Sequence, residues 1–168
     1  YTINNAGQLF WFSSLVNGDH SYADFDKQNA GANAELAANI DLENKEWAPV
    51  NNYKGNFNGK GHSILNLNIS KASDYTGLFG SVNEGSVSDI TVYGDITVKN
   101  SASHIGGVVG YINLGSVKNV VSYVNLNNDK YGSQVTHAGG IIGSVGNDKT
   151  DIEKCMYYGN THLNNSSD

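Results

Sequence analysis

One unit is written three times between Gly77 and Gly159, and that repetition limits the possible folds more than any other feature of the chain. The copies open with GLFG at Gly77, Leu78, Phe79 and Gly80, with GVVG at Gly107 to Gly110, and with GIIG at Gly140 to Gly143, spaced 30 and 33 residues apart. Each is followed by a polar turn and a short apolar run, GSVSDITVYG, GSVKNVVSYV and TDIEKCMYYG. Superposed, Val87, Val117 and Ile152 share one position, Ile90, Val120 and Cys155 a second, and Tyr93, Tyr123 and Tyr158 a third. Repeats of this length are supersecondary units that bury their apolar face only against their neighbours, so the copies must stack. The two valine and isoleucine positions then become apolar ladders of parallel strands inside a coil.

Composition agrees with many short strands and tight turns. There are 20 glycines without a collagen period and a single proline, Pro49, so every later strand can be hydrogen-bonded on both edges. A net charge of -6 with only 10 Lys plus Arg argues against a protein that reads nucleic acid through its phosphates, and against attachment to anionic membranes. No run approaches the roughly 20 apolar residues of a membrane helix, so no insertion is expected. One cysteine excludes a disulfide-framed module. A start at Tyr1 without methionine is expected of a segment excised from a longer chain. The sequons at Asn68 and Asn165 would matter only in a eukaryotic secretory pathway.

Residues 6 to 17, AGQLFWFSSLVN, predict a helix capped by Asn5 and stopped by Gly18, with Leu9, Phe12, Leu15 and Val16 at helical spacing. Ahead of a stack of strands, such a helix is expected to cover the first coil. Residues 18 to 34 read as a loop anchored by Tyr22 and Phe25. In the next stretch a short strand leads to a buried Trp47 and an extended Ala48-Pro49 step. Leu65, Leu67 and Ile69 alternate with Asn66 and Asn68, the period of a half-buried strand. Gly80, Gly110 and Gly143 are expected to permit tight bends between sheets. The organisation is one domain: cap and loop over 1–34, lead-in coils over 35–76, three repeats over 77–163, and a tail over 164–168.

The ordered series YTINNAGQLFWFSSLVNG, LAANIDLENKEWAPV, YKGNFNGKGHSILNLNI and YTGLFGSVNEGSVSDITVYG resembles bacterial surface domains built from GLUG-type repeats. Gly77, Leu78, Phe79 and Gly80 stand where the motif stands, and Gly107 to Gly110 and Gly140 to Gly143 are variants with Val109 and Ile142 in place of Phe79. Phe57, Gly59, Gly61, His62, Ile64 and Leu67 match the segment that precedes the first motif. The resemblance implies a right-handed parallel β-helix of the pectate-lyase-like kind with an N-terminal helical cap, in large secreted or wall-anchored bacterial proteins. Those include adhesin-like proteins and the non-catalytic forward parts of immunoglobulin A proteases of the zinc metallopeptidase type. The repeats are few, and no protease, wall-anchor or choline-binding segment is present, which suggests a module with adjacent domains in a larger parent.

Chemistry is sparse. His20, His62, His104, His137 and His162 are spread singly without the spacing of a zinc helix, so neither metal nor cofactor is expected. Asp19, Asp24 and Asp26 lack the glycine and terminal glutamate of a calcium hand. Polysaccharide-active β-helices need paired carboxylates facing outward, but Asp89 aligns with Asn119 and Lys154, and Asp95 with Asn125 and Asn160. Asp41, Glu43 and Glu46 form the densest acidic cluster, a pattern usual for a solvated face. Cys155 shares a ladder position with Ile90 and Val120, which favours a buried structural thiol.

There remains the tyrosine column. Tyr93, Tyr123 and Tyr158 should face outward, one residue beyond the inward Val92, with Asn125, Asn127 and Asn128 beside them and Tyr111 and Tyr157 near in sequence. Such a column could lay rings against sugar faces, or the rings could simply stack on one another. The expectation is a non-catalytic bacterial extracellular or cell-surface module binding a glycan or host protein through Tyr93, Tyr123, Tyr158 and Asn125. The alternatives are a spacer that presents neighbouring domains and, third, a polysaccharide-active enzyme.

Overall fold

A computed structural model describes residues 1–20, 27–128 and 134–163. The expected anchors Tyr22 and Phe25, the acids Asp24 and Asp26, the loop residue Tyr131, Asn165 and the tail 164–168 lie outside the described residues. The elements in chain order begin with β1 (Thr2–Ile3), α1 (Ala6–Asn17), β2 (Ala34–Leu36), β3 (Ile40–Asp41), β4 (Asn56–Asn58) and β5 (Ser63–Ile69). The first full repeat is β6 (Phe79–Asn83), β7 (Ser86–Val98) and β8 (Ala102–Gly106), and the second is β9 (Val109–Asn113), β10 (Ser116–Asn128) and β11 (Val135–Gly139). The third is β12 (Ile142–Val145), β13 (Asp151–Glu153), β14 (Met156–Tyr157) and β15 (Thr161–His162).

The first two repeats are each one coil with a strand in each of three sheets, and the third has strands in the first two sheets. β6, β9 and β12 pair in one sheet, β7, β10 and β13 in the second, and β8 and β11 in the third, all in parallel. The chain is a right-handed parallel β-helix of about 4 turns with an N-terminal helix. Inside, the apolar positions align as the repeats predict: Phe57, Val87, Val117 and Ile152 form one ladder, and Phe79, Val109 and Ile142 another. β-branched and aromatic side chains suit this stacked, pleated interior, which explains the Val and Ile at inward positions of every repeat.

The polar side chains between coils stack in register as well. Asn83 Nδ2 donates to Asn52 Oδ1 (3.3 Å), Asn113 Nδ2 to Asn83 Oδ1 (3.4 Å), and Asn119 Nδ2 to Asp89 Oδ1 (2.8 Å). An amide both donates and accepts, so it can repeat along such a ladder without leaving either group unmatched. This gives a physical use for the many asparagines.

The bends fall at different residues from those expected. Gly80, Gly110 and Gly143 do not have positive φ; they are strand residues at which a neighbouring backbone approaches closely. A Cβ on Gly110 would lie 2.6 Å from the Gly80 carbonyl oxygen, and one on Gly143 2.5 Å from that of Gly110. Left-handed residues stand instead between β6 and β7 at Glu84 (φ 69°), between β9 and β10 at Leu114 (67°), and within β7 and β10 at Asp89 (55°) and Asn119 (54°), with Lys154 (51°) following β13. A short polar side chain tolerates that conformation better than a branched one, as Asp89 and Asn119 illustrate. The same effect displaces Leu65. Asn66 takes a φ of 56° and the register shifts between Ile64 and Leu67, so Ile64 is buried in place of Leu65, which stays half-exposed.

Helix α1 closes the N-terminal end. Asn5 Oδ1 accepts from Gln8 N (3.0 Å), and Gly18 ends the helix in the left-handed conformation. Phe12 packs edge-on to Tyr53 and tilted to Phe57, at 6.0 and 5.9 Å, and Phe10 meets Trp47 at 5.2 Å. Trp47 is buried, with its indole N–H donating to the Leu78 carbonyl (2.9 Å). The far end differs. Val145 and Ile152 close ladders whose inner members are fully buried, yet they are 47% and 44% exposed.

Candidate functional site

The tyrosine column forms because β7 and β10 pair in register through a stretch where side chains alternate in and out. Val92 is buried while Tyr93 faces solvent, and Tyr123 lies directly across from Tyr93. Tyr158 follows beyond the β10–β14 pairing, its N–H donating to the Ser122 carbonyl (2.9 Å). Ring centroids are 4.6 Å apart for Tyr93 and Tyr123, with planes at 5°, and 5.2 Å apart for Tyr123 and Tyr158, at 21°. The three rings are exposed and cover one another's inner faces. The column's edge and hydroxyls stay open, as does Tyr158, the most exposed of the three at 58%.

Asn125 sits in a ladder of its own. Its Nδ2 donates to Asp95 Oδ1 (3.0 Å) and its Oδ1 accepts from the Asn160 backbone N–H (3.0 Å), so both ends of the amide are engaged by neighbouring coils. Tyr157 points the other way from Tyr158: it shares a register position with Ser122, and its ring occupies the space over Gly140.

Two residues before Tyr93, the outward face turns concave. Asn58, Lys60, Gly61, Asp89, Ile90, Thr91 and Asn119 line a depression of about 330 Å³. Asp89 and Asn119 in its lining both have left-handed backbone. Thr91 connects it to the tyrosines, since Thr91 and Tyr93 alternate with inward Ile90 and Val92 on one strand. A larger depression of about 440 Å³ lies beside the helix, lined by Ala6, Gly7, Phe10, Lys45 and Glu46, without a comparable row of amides.

Asp41, Glu43 and Glu46 have separate partners. Asp41 accepts from the Glu43 N–H (2.8 Å) and from Asn66 Nδ2 (2.8 Å), and these bonds, the first foremost, hold its carboxyl below the usual range. Glu43 pairs with Lys45 at 2.8 Å, and Glu46 accepts from the Ser70 N–H and hydroxyl. On the last coil, Lys118 lies against Asp151 and 3.6 Å from Glu153; the hydrogen bond to Asp151 raises the lysine's pKa most. Cys155 is half-buried, and burial pushes its thiol up.

A second aromatic column on another sheet escapes the repeat alignment. Tyr75, His104 and His137 stack at 4.8 and 4.9 Å, with planes at 21° and 10°, and Tyr111 meets His104 edge-on at 5.6 Å. His104 and His137 stand opposite each other on β8 and β11. Counted from the glycine motifs, His104 and His137 both lie three residues before Gly107 and Gly140, whereas Tyr75 lies two before Gly77. The register slips by one residue at that corner, from Thr76 opposite Ile105 to Phe79 opposite Val109. The two histidines at equal offset were the available signal.

No protein-family model, curated protein or solved structure matches this chain.

Proposed function

We propose that this β-helix is a non-catalytic binding module of a bacterial extracellular or cell-surface protein, taking a glycan, or a host protein, on its tyrosine-bearing face. The observation that carries the reading is the outward column of Tyr93, Tyr123 and Tyr158 on a rigid parallel sheet, beside a concave row of hydroxyl, amide and carboxylate groups. Apolar ring surface next to a few convergent polar groups is what a sugar offers complementary surfaces to. The resemblance of the glycine motifs to GLUG-type surface repeats supports the extracellular and bacterial setting, with adjacent domains in a longer parent.

The test is a glycan-array screen of the wild type beside a triple Tyr93→Ser, Tyr123→Ser, Tyr158→Ser variant with retained fold, and beside Tyr158→Ser alone. Selective binding lost in the triple variant, with Tyr158→Ser weakening it about tenfold through loss of one stacking contact, supports the reading. Absence of binding by the folded wild type across a broad host and bacterial array overturns it for glycans. A second reading, a spacer that presents neighbouring domains, is favoured by the self-stacking of the rings and by the engagement of Asn125 within its own ladder.

A further inference from the structure

We propose that His104 and His137 form a two-imidazole site for a borderline divalent transition-metal ion, of the Zn2+ or Ni2+ kind, on the sheet made by β8 and β11. The rings are held in register on adjacent parallel strands, stacked 4.9 Å apart with planes at 10°. His104 Nδ1 lies 2.8 Å from Ser103 Oγ, and His137 Nδ1 lies 3.3 Å from Thr136 Oγ1.

The threonine settles the tautomer of its neighbour. Thr136 gives its one hydroxyl proton to the Ser103 carbonyl (2.8 Å), so toward His137 its oxygen can only accept. Neutral His137 therefore carries its proton on Nδ1 and its lone pair on Nε2. This is the arrangement of a ligating histidine, whose second nitrogen is oriented by a hydrogen bond. Neither Nε2 is paired with a described residue, and His137 is exposed.

Zinc-to-imidazole bonds of about 2.0–2.1 Å at a tetrahedral angle require the two Nε2 atoms to approach to about 3.4 Å of each other. Parallel rings 4.9 Å apart meet this by tilting toward each other, a motion the exposed His137 ring can make. Imidazole pairs select zinc, nickel and copper over calcium and magnesium, which prefer oxygen. No group of three His, Cys, Asp or Glu able to hold a metal occurs among the described residues, so these supply two ligands and leave the other positions on the ion open. The site is open, on a different sheet from the tyrosine column, and independent of it.

Titration of the tag-free chain with Zn2+, Ni2+ and, as control, Mg2+, followed by calorimetry and by the imidazole NMR signals, tests the site. The expected result is one saturable site for Zn2+ and Ni2+ and none for Mg2+, with the His104 and His137 signals moving first. His137→Gln should abolish it without disturbing the core, and Thr136→Val, which keeps both imidazoles, should weaken it about tenfold. Unchanged binding in His137→Gln, movement of the His20, His62 or His162 signals instead, or no saturable binding by the folded wild type would each overturn the assignment.

Discussion

The same truncation made in an inner coil and in the last coil should have unequal costs, and the difference measures how open the C-terminal end is. Val117 is fully buried, with Val87 below it and Ile152 above. Val145 sits on Ile112 and is 47% exposed. Truncating a valine to alanine removes two carbons, each worth about 0.8 kcal/mol when fully buried. At Val117 that is about 1.6 kcal/mol of transfer, and the closed cavity left behind brings the total to about 2–3 kcal/mol. At Val145 roughly half the surface is already in water and no closed cavity forms, so the loss is about 0.8 kcal/mol. For a chain of this length 1 kcal/mol moves Tm by about 2–4 °C, which predicts a drop of about 4–12 °C for Val117→Ala and about 2–3 °C for Val145→Ala. Thermal unfolding followed by circular dichroism, with calorimetry to check that it is a single transition, measures both. Equal losses would refute the reasoning, because Val145 would then be packed as an inner residue is. Hydrogen exchange gives a second reading: amides of β13 to β15 should exchange faster than those of β7 and β10.

Two further outcomes follow from single groups. The Asp41 carboxyl is held low by the Glu43 N–H and the Asn66 amide, so its folded pKa lies below its unfolded one, and its stabilisation is present above about pH 4 and lost as pH falls through the folded value. Tm measured from pH 6 down to 2 should therefore fall less steeply at the acid end in Asp41→Asn than in the wild type; parallel curves would remove Asp41 from the account. Burial raises the Cys155 thiol, so iodoacetamide at neutral pH should alkylate the folded chain more slowly than the chain unfolded in urea, and equal rates would contradict the half-buried placement.

The coil order and its inward ladders were legible because register copies them: Val87 and Val117 sit at equal offsets from their motifs, and parallel strands pair equal offsets. The helix was legible because Asn5 and Gly18 are local signals that need no tertiary context. Leu65 was misplaced because alternation assumes an extended backbone throughout, and the left-handed Asn66 breaks it. The glycines were assigned to bends because glycine permits positive φ, whereas at Gly110 and Gly143 the requirement comes from a carbonyl of the neighbouring coil, which no single repeat reveals. The outward facing of the tyrosines was legible from the inward Val92. The loss of their inner faces was not, because it depends on the ring planes. The histidine pair went unseen because a residue column was sought by identity, and Tyr75 stands where the other two coils have histidine.

Register that copies the inside also copies the outside, and this limits what a β-helix can bind. A side chain repeated in every coil meets its own copy about 4.8 Å away, the spacing of paired strands, and satisfies itself there. Asn125 spends its amide on Asp95 and Asn160, and Tyr123 spends both ring faces on Tyr93 and Tyr158. Binding capacity is therefore left where a ladder stops or changes residue type. Tyr158 ends one ladder with a ring face open, and His137 ends another with its Nε2 unpaired by any described residue. Tyr158 belongs to the third repeat, whose Val145 and Ile152 are also open to solvent, and His137 lies on β11, the strand just before it. On the proposed reading, in which Tyr158 takes a ligand, a partner that covered this end would compete with that ligand.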